Sequence, residues 1–145
     1  MKERQLYIGK QYRHFKKGNF YRVIEVYDSN NLDIDDSITK LTEEEIKEKG
    51  YVVLYCIATN ATNSEEEKDI RVYCKDKDVT QLLITKKDGT LIRGKYVLYY
   101  GLYNSEFYIR QYDEFMSPVE DERKDKYNQK WKFQYCDVQP TMRLI

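Results

Sequence analysis

The feature that most constrains the fold is the alternation of apolar and polar residues in many short segments. Alternation places every second side chain on one face, as in a β-strand with one covered face. Alternation in most of these segments, together with turn signals between them, predicts strands at residues 20–27, 70–75, 79–85, 90–93, 96–103, 106–112 and 131–135. Residues 51–58 are apolar on both faces, which predicts a central strand covered twice. The chain is therefore predicted to be mainly β.

The segment 20–27 shows how the alternation assigns faces. An unbroken strand would place one set of side chains together, namely Phe20, Arg22, Ile24 and Val26. The intervening residues, from Tyr21 to Tyr27, would share the other face. This prediction depends on the strand having no irregularity.

One segment has a helical pattern instead. Thr42 and Glu45 have the spacing of a capping box, in which each side chain accepts from the other's backbone N–H. Gly50 provides a stop signal. The pattern predicts one short helix over residues 42–49, and its few apolar side chains suggest that it decorates the surface.

The length of 145 residues fits one domain, 1–145, with a core of its own. Seven or eight short strands and one helix favour a small β-barrel or roll. The three cysteines are widely spaced and His14 is the single histidine, so we expect no metal site and no cofactor. We expect a cytoplasmic protein with reduced thiols and no membrane segment.

The charge of the chain is balanced overall but segregated along the sequence. The chain has 25 basic and 25 acidic residues, which excludes a chain-wide polyanion-binding charge. Residues 1–25 nevertheless carry seven Lys and Arg against two Glu, and residues 28–48 carry eight acidic residues against two Lys. Sequence motifs of known catalytic sites are absent, so an enzyme ranks last among the functions considered.

Two segments combine aromatic and cationic side chains and are candidates for binding. The first is 12–16, which consists of Tyr12, Arg13, His14, Phe15 and Lys16. Its cations and rings suit an anionic, aromatic ligand. The alternative is a strand whose aromatic residues are core and whose cations lie at the rim.

The second segment is 99–112, which is rich in tyrosine. The whole chain contains 15 tyrosines. The candidate residues are Tyr99, Tyr103, Tyr108, Arg110 and Tyr112. Alternation predicts that the last three share one strand face, while Phe107 and Ile109 form the core face. An arginine between two rings suits base stacking and a phosphate contact. A purely structural stack of Arg110 on tyrosine is the alternative.

These two segments resemble a short bacterial family, the domain of unknown function numbered 1653. Residues 12–16 and 18–21 are similar to its Y-R-H-Y-K-G-N-x-Y block, and 97–103 to its V-Y-x-x-L-Y-G block. Residues 108–110 stand at the W-V-R positions. The resemblance implies an SH3-like β-barrel, and the greater length here implies insertions at 28–50 and about 70–94.

Three functions fit these observations. The first is a non-enzymatic protein that binds a nucleotide-like or other anionic aromatic small molecule, for instance to sequester a signalling nucleotide in a bacterium or phage. The second is a nucleic-acid-binding module that uses the basic N-terminal segment. The third is a protein-interaction domain with a Tyr-rich surface, which includes a homo-oligomer.

Overall fold

The computed structural model describes residues 4–16, 18–62, 66–75, 78–120 and 129–136. For residues 53–56 it describes the backbone alone. Eight strands are β1 (Gln11–His14), β2 (Phe20–Asp28), β3 (Tyr51–Asn60), β4 (Glu67–Lys75), β5 (Asp78–Thr85), β6 (Lys95–Gly101), β7 (Phe107–Gln111) and β8 (Phe133–Cys136). Two short helices are α1 (Glu43–Glu48) and α2 (Tyr112–Phe115), and Ser29–Asn31 forms a 3-10 turn. The mainly β class is confirmed.

The strands form one sheet in the order β5-β4-β3-β7-β6-β2-β1-β8. Among the eight described strands, β3 pairs with β7 in parallel, and the other neighbours are antiparallel. Among the described strands, β5 and β8 are the outermost, and the sheet is not closed into a barrel, so the expected closure is wrong. The SH3-like arrangement implied by the family resemblance is not confirmed.

A β-bulge in β2 changes which side chains face which way. The pairing of β2 with β6 shifts register between Val23 and Glu25, so one extra residue is accommodated there. In an unbroken strand Val23 and Tyr27 would share a face, yet they are buried in different clusters on opposite sides of the sheet. The prediction of one continuous face from Phe20 to Val26 is therefore wrong.

The main hydrophobic cluster lies where the sheet curls over itself. Its buried members come from β2 to β7 and the loop after β5: Tyr27, Ala58, Ile70, Val72, Cys74, Leu82, Ile84, Ile92, Tyr96, Leu98 and Ile109. Burial of this apolar surface is the dominant stabilising contribution. Because β4 and β5 supply five of these residues, the stretch 70–94 is part of the core and not a peripheral addition.

A second cluster covers the opposite face of β1, β2, β6 and β8. Its buried members are Tyr12, Val23, Val97, Tyr99, Phe115 and Phe133. Phe115 and Phe133 stack with ring centroids 4.1 Å apart. Phe115 belongs to α2, which the sequence pattern did not predict, and this helix closes the cluster from above β6 and β7.

The acidic stretch 28–50 also contributes to a core. Thr42 and Glu45 form the predicted capping box of α1, and Gly50 follows the helix with a φ of +88°. Ile34, Leu41 and Ile46 are buried in a third cluster that also contains residues of β3 and β5. The helix is therefore anchored to the sheet, contrary to the expectation of a surface decoration.

The described helices are short: α1 has six residues and α2 has four. Within the part of the chain that the structure describes, we find no helix with the length and apolar character needed to cross a membrane. Cys74 is buried in the main cluster and Cys136 is half-buried at the end of β8.

Candidate functional site

A small cavity of about 180 Å³ opens on the same face of the sheet as the second cluster. We call it the tyrosine pocket. Six of its lining residues were predicted from the sequence: His14, Lys16, Tyr99, Tyr103, Tyr108 and Arg110. Four were not: Asn19, Tyr21, Ala61 and Glu66. The pocket thus joins both candidate segments, which are distant in the sequence.

Strand register brings the tyrosines together. Tyr99 of β6 lies directly opposite Tyr108 of β7, and Tyr21 of β2 lies opposite Gly101 at the end of β6. A Cβ atom at position 101 would collide with the side-chain oxygen of Asn104. Glycine there lets the turn after β6 fold back tightly, which carries Tyr103 to the mouth of the pocket.

The rings of the pocket form a fixed aromatic frame. Tyr99 and Tyr108 are stacked, with centroids 5.5 Å apart and planes 21° apart. Tyr21 meets both edge-on, at 5.4 Å from Tyr99 and 6.0 Å from Tyr108. Edge-to-face and offset pairs are the favoured geometries of aromatic rings. The frame is therefore held in place before any ligand arrives.

The phenol hydroxyls at the mouth are linked by hydrogen bonds. Tyr21 donates to the Tyr103 hydroxyl at 3.2 Å. Tyr108 donates to Glu106 Oε2 at 3.1 Å and accepts from Asn104 Nδ2 at 2.6 Å. Burial, reinforced by hydrogen bonding with Tyr103, raises the pKa of both Tyr21 and Tyr108. These hydroxyls are protonated at neutral pH and offer both donors and acceptors.

Arg110 lies at the inner end of the pocket and is already engaged by the protein. Its Nη1 is 3.0 Å from Glu114 Oε1, and its Nε donates to the Tyr99 hydroxyl at 3.1 Å. The two charged side chains are 14% and 15% exposed. The guanidinium also lies 5.2 Å from the centroid of Phe133. These contacts support the alternative in which Arg110 stabilises the fold rather than binding a ligand.

The protonation of this group of residues is set by burial and by charge. Burial acts to lower the pKa of Arg110, but the interactions with Tyr99 and Glu114 outweigh it and leave that pKa raised. Burial raises the pKa of Tyr99, so this phenol is neutral near pH 7. Glu114 is consequently the group that balances the charge of Arg110 under ordinary conditions.

The other wall of the pocket comes from the end of β1. The His14 ring lies 4.8 Å from the Phe133 ring and 6.4 Å from the Tyr21 ring. The backbone N–H of Lys16 reaches His14 Nδ1 at 3.4 Å, and the Lys16 side chain is exposed at the rim. Glu66 adds one carboxylate on the opposite side. Lys16 therefore provides the rim with a cation that remains open to solvent.

Four predicted site residues lie elsewhere. Tyr12 is fully buried in the second cluster, where its hydroxyl accepts from the backbone N–H of Tyr7 at 3.0 Å. Phe15 is buried, and Arg13 is exposed on the opposite face of β1. β7 ends at Gln111, so Tyr112 belongs to α2 and does not share the strand face of Arg110; it packs against Lys95 at 4.0 Å instead.

The most important residue that the sequence analysis missed as a site residue is Tyr21. Alternation placed it correctly on the face opposite Arg22, but only the pairing of β2 with β6 shows that it lies beside Tyr99. Asn19 and Tyr21 follow the turn after β1, so they lie only a few residues after His14 and Lys16 in the sequence. That proximity was the one signal that could have included them.

In comparisons with known proteins, no family model, curated protein or solved structure matches the chain. The resemblance to family 1653 therefore rests on the quoted motifs alone.

Proposed function

We propose that the tyrosine pocket binds the ring of a small anionic aromatic molecule, such as the base of a nucleotide. The observation that carries this proposal is the frame of four tyrosines around a cavity of about 180 Å³. Pockets for whole drug-sized ligands are typically about 300–1,000 Å³. The ring would occupy the cavity, and the remainder of the ligand would lie outside it.

An anionic group of the ligand would lie at the rim beside Lys16 rather than at the inner end beside Arg110. The carboxylates of Glu66 and Glu106 also lie at the pocket, so Lys16 is the contact on which this placement depends. Arg110 is paired with Glu114, so it would have to give up this ion pair to bind an anionic ligand. Lys16 is exposed at the mouth and suits a phosphate or carboxylate. The phenol hydroxyls of Tyr103 and Tyr108 would hydrogen-bond to the edge of the bound ring. Binding of this kind would allow the protein to sequester a nucleotide.

The first experiment is mass spectrometry of small molecules released from the purified, denatured protein. It is followed by calorimetric titration of the ligand-free protein with adenosine and uridine monophosphates. We expect a nucleotide-like molecule to be released, or one of the two probes to bind. The absence of both a released aromatic anion and any measurable binding would contradict the proposal.

A matched pair of variants tests the pocket itself. Tyr103 is 54% exposed at the mouth and Tyr7 is 44% exposed outside it, so both tolerate truncation. Tyr103→Ala should weaken binding about 10-fold, from the loss of one ring contact and one neutral hydrogen bond. Tyr7→Ala should leave affinity unchanged. Equal effects of the two substitutions would place the ligand elsewhere.

A further inference from the structure

The face of the sheet opposite the tyrosine pocket presents a second, separate set of residues. Strand register aligns them in two rows across the sheet. The first row is Cys136, Gln11, Arg22, Tyr100 and Phe107, in the order β8-β1-β2-β6-β7. The second row is Gln134, Arg13 and Phe20. We call these two rows the arginine face.

The arginine face is accessible, and its two rows contain two arginines. Arg13 and Arg22 are exposed, and Phe20, which is 40% exposed, lies directly opposite Arg13 and on the same strand as Arg22. Neither row contains a carboxylate. Among the residues that the structure describes, neither arginine forms an ion pair, in contrast to Arg110.

The aromatic residues of this face lie beside the cations. Tyr100 and Phe107 are half-buried cross-strand neighbours with ring centroids 4.7 Å apart. Leu102, which is 39% exposed, is a backbone neighbour of Phe20, since its N–H donates to the Phe20 carbonyl at 3.0 Å. The face thus combines exposed and half-exposed rings with two arginines on neighbouring strands of the sheet.

We propose that the arginine face binds single-stranded nucleic acid. Sheets that present aromatic rings stack unpaired bases, and neighbouring cations contact the phosphates. A duplex would fit less well because its bases are already stacked on one another. The charge distribution agrees: Phe20 and Arg22 lie in the first half of β2, whereas the acidic stretch 28–48 begins at the other end of that strand and packs with β3 and β5.

This proposal does not depend on the tyrosine pocket, because the two sets of residues lie on opposite faces of the same strands. Residues 21 and 22 illustrate the separation: Tyr21 lines the pocket, and Arg22 belongs to the arginine face. The two functions can therefore be tested, and can fail, separately.

The experiment is fluorescence anisotropy of a labelled oligodeoxythymidine, titrated with the full chain at several salt concentrations. Each neutralised phosphate of a single strand contributes about 0.7 to the slope of log K against log salt. The Arg13→Gln/Arg22→Gln variant should lower the magnitude of that slope by about 1.4. Phe20→Ala should weaken binding about 5- to 100-fold through the loss of base stacking.

A matched control removes the same charge elsewhere. Lys47 and Lys87 are exposed residues of α1 and of the turn after β5, remote in strand order from β1. Lys47→Gln/Lys87→Gln should leave the slope and the affinity of the wild type unchanged. Tyr108→Ala, in the pocket, should also leave oligonucleotide binding intact.

Several outcomes would overturn the proposal. Failure of the wild-type chain to bind at low salt would do so, as would equal losses in the arginine and lysine variants. Binding of a duplex as tightly as the single strand would rule out the stacking mechanism. If sedimentation shows a dimer that Phe20→Ala dissociates, this face is covered by a second copy of the chain and the proposal is wrong.

Discussion

The pairing of Arg110 with Glu114 predicts a large effect on stability from a single change of charge. Glu114→Gln keeps the size of the side chain but leaves the guanidinium of Arg110 without its counter-ion. Removing one partner of a buried ion pair costs about 3–5 kcal/mol, and a hydrogen bond to a charged group about 1.5–3 kcal/mol.

The structure places the expected cost toward the lower end of this range. The Arg110 side chain remains 14% exposed, and it keeps the hydrogen bond to Tyr99 and the contact with Phe133. We therefore expect a loss of about 2–3 kcal/mol in the free energy of unfolding. For a domain of this size, each kcal/mol lowers Tm by about 3 °C, so Tm should fall by roughly 6–10 °C.

Thermal unfolding followed by circular dichroism measures this effect, and Glu67→Gln is the matched control. Glu67 pairs with Lys86 at 3.4 Å, but both side chains are about half exposed, at 46% and 48%. Surface pairs contribute about 0–1 kcal/mol, so the control should lower Tm by no more than about 3 °C.

A double-mutant cycle separates the pairing from other effects of the substitutions. Arg110→Met and Glu114→Gln together should cost less than the sum of the single variants, because the double variant leaves no buried charge unpaired. Additive losses, or equal shifts for Glu114→Gln and Glu67→Gln, would refute the argument that Glu114 balances Arg110.

Three further predictions concern the fold. Replacing residues 31–49 by a Gly/Ser linker should strongly lower Tm or abolish cooperative unfolding, since Ile34, Leu41 and Ile46 leave the third cluster; retention of the wild-type Tm would contradict this. Gly89→Ala should cost at least about 2 kcal/mol in chemical denaturation, because φ is +92° and a Cβ would collide with the carbonyl oxygen of Leu41, whereas Gly9→Ala meets no atom within 4 Å and should cost only about 1 kcal/mol. Burial raises the pKa of the Tyr27 and Tyr99 phenols. The folded state therefore favours their protonated forms, so stability should be constant below about pH 10 and fall as the pH rises above it. Phenolate absorbance and circular dichroism should change together in that range, and ionisation of all tyrosines without unfolding would refute the prediction.

The local features of the fold could be predicted from the sequence because they depend on neighbouring residues. Alternation, turn signals and the apolar run at 51–58 identified β2 to β8 to within a few residues, and the spacing of Thr42 and Glu45 identified the capping box of α1. The strand predicted at 90–93 is wrong, because Thr90 and Leu91 form isolated bridges. The same alternation separated Ile109, in the main core, from Arg110 on the other face. Backbone periodicity and helix capping act over a few residues, so the sequence contains them directly.

The extent of the core was not visible in the sequence. The stretches 28–50 and 70–94 look polar or additional when compared with a shorter family, yet they supply buried residues to two clusters. The apolar residues of 28–50 are few and widely spaced, whereas those of 70–94 lie mostly in β4 and β5. In both stretches the contribution to the core appears only when the sheet curls and brings distant strands to the same cluster.

The candidate site required the tertiary structure for the same reason. Two segments with suitable chemistry were evident, but pairing of β2 with β6 added Tyr21 to the pocket, and the end of β7 at Gln111 removed Tyr112 from it. The bulge after Val23 exchanged the faces of β2, and α2 brought Glu114 to Arg110. Register, bulges and helix packing are set by contacts between residues far apart in the chain. The sequence therefore determined which side chains could form a site, and the packed sheet decided which of them meet.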